Sequence, residues 1–183
     1  VTVIGGVPFQ RPLFEMGEEL IPLNQPAVGR DAVPVTGEWN IDHSAKGDFL
    51  RATVPEDVET GQLRFTSNVQ TYAYRGTALP DLTPAHSLLS FAIKGDGSTP
   101  RICIELQEED ESRWKAVVPV TSSWTEYRLH TATFASYATE ARAEPGDHVH
   151  PANLTNLLFG YTARMVGDGN HVFELRNVRF EVA

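Results

Sequence analysis

The sequence holds one cysteine, Cys103, in 183 residues. That excludes an internal disulfide framework and a cysteine-cluster metal site. Basic charge is also scarce: 15 Lys and Arg stand against 24 Asp and Glu, a formal net charge of −9. Nucleic-acid binders need a basic surface to offset phosphate, and polybasic membrane-surface proteins need one for anionic headgroups. Neither partner suits this chain. Long hydrophobic runs are missing, with nothing near the roughly 18 apolar residues of a spanning helix, so membrane insertion is not expected. There is no Gly-x-Ser-x-Gly element, no phosphate loop and no internal repeat of fixed period.

What is present is an apolar fraction of 41%, enough for a core at this length. Gly and Pro, 14 and 12 of them, punctuate short apolar runs. In residues 1–37 the prolines 8, 12, 22, 26 and 34 fall too closely for a helix. This stretch reads as an extended wrap with one or two edge strands, tucking Leu13, Phe14, Leu20 and Ile21 onto the rest. Residues 38–183 read as the body of a single domain. Strands are expected at Glu38–Ile41, Phe49–Val54, Gly61–Thr66, Thr71–Arg75, Leu88–Lys94, Arg101–Gln107, Arg113–Val118, Thr125–Leu129, Leu157–Arg164 and His171–Phe180. Only Ala135–Ala143 reads as a possible helix. The chain starts Val1-Thr2-Val3 without a methionine, so it is expected to be processed or part of a longer protein.

Alternation along the strands supplies the architecture. Leu89, Phe91 and Ile93 share one face, as do Ile102, Ile104 and Leu106, and Phe173 and Leu175. Period two with one apolar face, in strands about ten residues apart, predicts an all-β fold, an antiparallel two-sheet β-sandwich.

Leu88-Leu89-Ser90-Phe91-Ala92-Ile93-Lys94-Gly95-Asp96-Gly97-Ser98 resembles a signature of jelly-roll carbohydrate-binding modules of the galactose-binding-like superfamily, especially family 11. The order continues with the charged strand and acidic turn Arg101–Glu111, Trp114, Thr121-Ser122-Ser123-Trp124-Thr125-Glu126-Tyr127-Arg128-Leu129, Leu157-Leu158-Phe159-Gly160 and the closing strand Phe173–Phe180. Phe14-Glu15-Met16-Gly17 is similar to the family's opening segment. The resemblance implies a non-catalytic module that targets a polysaccharide-active enzyme to its glycan. It also implies a neighbouring catalytic domain in a longer parent chain and an extracellular or periplasmic location. Such modules carry a structural Ca²⁺, which implies Glu15 and the carbonyl of Asn177 as metal ligands. Here, however, the closing pair is Arg176-Asn177, without carboxylates, whereas Ca²⁺ takes six or more oxygens.

Sugar binding calls for aromatic faces and planar hydrogen-bonding groups. Tyr72 and Tyr74, at i and i+2, are candidate stacking platforms, or else half-buried sheet residues. Arg101, Glu105 and Gln107 form a polar stripe that suits a groove or a solvated face, and Arg164 with Thr162 would extend it. A loop-edge site near Trp39 is the second choice. Trp124 is expected in the core, and Trp114 in the core or at a platform.

Catalysis finds little footing. The lyase elements Gln-x-His and Tyr-x-Lys-x-Gly-x-Tyr are absent. Glu108, Glu109, Asp110 and Glu111 fall in a turn, and Cys103 lacks a histidine partner pattern. A jelly-roll lyase or hydrolase stays a minor alternative. In Asp147-His148-Val149-His150, two imidazoles at i and i+2 suit a transition metal if a third ligand joins, or a plain surface pair. Asn153-Leu154-Thr155 is a glycosylation sequon. The rival from another class is an interaction sandwich docking on a catalytic domain through a flat apolar patch.

Overall fold

The computed structural model describes residues 31–58, 61–136 and 147–183, together with the backbone of residue 30 and of two short strands, β1 (Val3–Ile4) and β2 (Val7–Pro8), which pair with each other. Leu13, Phe14, Leu20, Ile21 and the Glu15 segment lie outside the described residues.

The described chain continues as β3 (Arg30–Pro34), β4 (Ile41–Ser44), β5 (Phe49–Thr53), β6 (Leu63–Val69), β7 (Tyr72–Ala78), β8 (Leu88–Gly95), β9 (Arg101–Glu108), β10 (Arg113–Pro119), β11 (Thr125–His130), β12 (Ala135–Ser136), β13 (Leu154–Thr162) and β14 (Gly169–Val182). A single helical turn, Ala163–Val166, joins the last two strands. One six-stranded sheet has the order β12-β10-β9-β13-β7-β4. The other runs β11-β8-β14-β6-β5, with β3 also on β14. Every pairing is antiparallel. The two antiparallel sheets make the β-sandwich that the alternation implied.

Between the sheets, Ile102, Ile104 and Leu106 from β9 face Leu89, Phe91 and Ile93 from β8, all buried. Aromatic rings fill the centre. Phe65 and Phe173 stack at 4.6 Å, while Trp39 meets Phe65 edge-on and Phe159 at a tilt, and Phe91 meets Phe159 edge-on. Trp39 therefore packs against core rings on this side. Trp114 is buried, and its indole N–H donates to Glu108 at 3.0 Å.

Several expectations change. Ala135 and Ser136, expected to begin a helix, are strand β12 on β10, because their backbone closes the free edge beside Trp114 and Lys115; residues 137–143 of that expected helix are outside the described set. Strand β4 starts where its expected counterpart ends, at Ile41. Trp124 is not in the core. It stands half-buried on the outer face of the second sheet, with the Arg176 guanidinium 4.1 Å and the Lys94 ammonium 5.1 Å from its ring. That face is laced with charge pairs, among them Arg64 and Lys94 with Glu174, and Arg179 with Glu126 and Glu181.

Candidate functional site

The outer face of the first sheet collects most of the expected site residues. Register sets them in rows across the strands. Tyr72 pairs with Thr162; Tyr74 with Gly160, which pairs with Cys103 and then Val117. The next row is Gly76, Leu158, Glu105 and Lys115, and the last is Ala78, Asn156, Gln107 and Arg113. From the Tyr72 row to the Arg113 row the strands run roughly 20 Å.

At one end Tyr72 is 40% exposed, a presented ring. Asp48 fixes it: its carboxylate accepts from the backbone N–H groups of Gln70, Thr71 and Tyr72 at 2.7–3.0 Å, closing the β6–β7 turn. Arg101, half-buried, donates its Nε–H to the Met165 carbonyl at 3.0 Å and so binds β9 to the helical turn. Arg164 is exposed, and it belongs to that turn instead of the strand expected to carry it. The strand ends at Thr162, where Ala163 N–H bonds the Thr71 carbonyl.

The middle of the face is closed. Tyr74 is 6% exposed and lies flat over Gly160, where a Cβ would come within 2.4 Å of its ring. The Lys115 ammonium sits 4.9 Å from the same ring. Tyr74 is therefore a packing residue and no stacking platform, a correction to the paired-tyrosine expectation. Glu105 is fully buried and likewise has no surface for a sugar. Its carboxylate accepts from Arg113 at 2.5 Å and Gln107 at 2.8 Å, and lies 3.3 Å from Lys115 Nζ. Burial alone would raise its pKa. Lys115 and the bonds from Arg113 and Gln107 outweigh that and hold the carboxyl below the usual range. Burial also pushes the Cys103 thiol up to about 11, which disarms it as a nucleophile.

At the far end the face opens into a groove of about 760 Å³, lined by His43, Gln107, Arg113, Thr155 and Asn156 with Glu108, Glu109 and Glu111 at the acidic turn. Asn156 donates to Gln107 at 3.1 Å, and Gln107 donates on to Glu105. An amide, an amide and a guanidinium are thus held side by side by one buried carboxylate, the planar donor set that matches vicinal hydroxyls. Sequence reading missed Arg113, Asn156 and His43. The signal for Arg113 was available: it alternates with the buried Trp114 and stands opposite Gln107 across a short acidic turn.

Of the expected calcium ligands, Asn177 is described and does not fit. Its carbonyl accepts from Arg179 Nη1 at 2.9 Å, and a guanidinium is a poor neighbour for a cation. Glu15 lies outside the described residues. Exposed large hydrophobics among the described residues are Val54 and Tyr72; Val54 belongs to a second groove of about 540 Å³, lined also by Val35, Trp39, Ala52, Val58 and Leu63.

The fold and this face define an antiparallel β-sandwich of the kind found in carbohydrate-binding modules. More particularly, the chain has the fold of family 11 modules. It is similar to the family 11 module of the cellulosomal cellulase Lic26A-Cel5E of Clostridium thermocellum, at 17% identity and TM-score 0.65, covering 86% of this chain and 96% of that one. A Clostridium thermocellum family 11 module in complex with a β-1,3-1,4-mixed-linked tetrasaccharide matches at 17% identity and TM-score 0.64, covering 86% and 98%. A family 30 carbohydrate-binding module matches at 14% identity and TM-score 0.56, covering 82% and 85%. No family model matches the sequence, and no curated protein does either.

Proposed function

We propose that this chain is a non-catalytic carbohydrate-binding module that holds a polysaccharide-active enzyme on its glycan. The observation that carries this reading is the groove beside Gln107, Asn156 and Arg113 on a sheet face of the family 11 fold. The amides and guanidinium bond sugar hydroxyls there, and Tyr72 and the exposed Arg164 extend the surface along the same face toward its other end. Arg101 acts by fixing the helical turn that carries Arg164, and Glu105 by holding the donors in place. Such contacts exchange hydrogen bonds with water at small net gain, so affinity is modest. Neutral β-glycans are favoured over anionic ones, because the net charge of −9 repels acidic chains. The similar family 11 module is part of a cellulosomal cellulase, which supports a neighbouring catalytic domain and an extracellular or periplasmic setting.

A glycan microarray tests the reading. Binding to neutral β-glycans, weakened by Gln107→Ala and by Tyr72→Ala, is expected. An array without signal for any glycan would overturn it.

A further inference from the structure

Beside the acidic-turn end of the groove, where Glu108 also lines it, the loop before β13 brings three ligating side chains together. Val149 is buried, so the flanking His148 and His150 of this extended segment project to the same exposed side. Their rings lie 5.0 Å apart, edge to face. Asp147 Oδ1 sits 3.8 Å from His148 Nδ1 and 3.7 Å from His150 Nε2. One ligand atom from each of the three lies within 4.8 Å of the others. A tetrahedral zinc with bonds of about 2.0–2.1 Å spaces its ligands about 3.3–3.4 Å apart, so small side-chain rotations close the set around one ion.

His150 is already aimed. The buried Glu108 carboxylate accepts from the His150 backbone N–H at 2.7 Å and stands 3.1 Å from its Nδ1. The other carboxylate oxygen is held by the Trp114 indole. With Nδ1–H given to Glu108, Nε2 carries the lone pair and points toward Asp147. A carboxylate fixing the tautomer and direction of a histidine is the usual support of a metal-bound imidazole.

We propose that Asp147, His148 and His150 bind a divalent transition metal of the zinc class, with Glu108 orienting His150 and solvent at the fourth position. Two imidazoles and one carboxylate favour such an ion over Ca²⁺ or Mg²⁺, which take oxygen. The bound ion ties the 147–150 loop to the β9–β10 turn through Glu108. Glu108 is shared with the groove lining, but the metal site does not rest on the carbohydrate reading.

The test is calorimetric titration of the untagged full chain with ZnCl₂, on wild type, His148→Ala and Asp147→Asn. Both altered side chains are exposed, and circular dichroism checks that each variant folds. One ion per chain is expected, with affinity at least tenfold weaker in each variant and no displacement by tenfold excess CaCl₂. No saturable one-to-one binding, or equal affinity in wild type and both folded variants, would overturn the proposal.

Discussion

Glu105 shows how a residue can matter to a surface it never reaches. Its alternation with Ile104 and Leu106 puts it on the outer face, which the sequence makes plain. That this position is sealed, with Gln107 on its own strand and Arg113 and Lys115 on the next strand of the β9–β10 hairpin converging on it, depends on the pairing register and was not legible. Removing one member of a buried charge cluster strands the others, so Glu105→Ala should cost about 3–5 kcal/mol, measured by urea unfolding. The same carboxyl gives a pH dependence. Its folded pKa lies below the unfolded value near 4.5, so its contribution is full above pH 4.5 and is lost as pH falls through the lower folded value. Urea midpoints of wild type should drop over that interval more steeply than those of Glu105→Gln. Cys103, with its thiol pushed to about 11, should react with a thiol reagent at neutral pH only after unfolding.

At the scale of elements, the close approach of β7 and β13 shapes the face. Tyr74 can lie down because Gly160 opposite it has no side chain; a Cβ there would meet both the Tyr74 ring and the Ala73 carbonyl at 2.4 Å. Gly160→Ala should therefore destabilise the fold by about 1–3 kcal/mol, read from the thermal midpoint. The apolar faces of β8, β9 and β14 were legible from period two, since Leu89, Phe91, Ile93, Ile102, Ile104, Leu106, Phe173 and Leu175 are all buried. Tyr74 was misread for a physical reason: alternation assigns a side chain to a face but says nothing about whether it stands up or lies across a glycine. Trp124 was misread because a large aromatic after a turn suits a core, while here two cations from neighbouring strands cover its ring. Asn156 became visible only when register set it beside Gln107, whereas Arg113 could have been found from the hairpin around the acidic turn.

For the whole molecule, the two outer faces differ in kind. One is tiled with reciprocal charge pairs around Glu174, Glu126 and Glu181. The other ends in a groove of two amides and a guanidinium bordered by Glu108, Glu109 and Glu111, and at its opposite end presents Tyr72. That asymmetry, on a sandwich fold shared with family 11 modules, is what supports the proposed carbohydrate surface on the first sheet. Native affinity electrophoresis in gels containing a soluble neutral β-glucan tests this most directly. Wild type should be retarded, while a Gln107→Ala/Asn156→Ala variant should lose at least tenfold in affinity, about 1.4 kcal/mol, and migrate almost as in a glycan-free gel. Equal retardation of both proteins, or none by any neutral or acidic polysaccharide, would contradict the account.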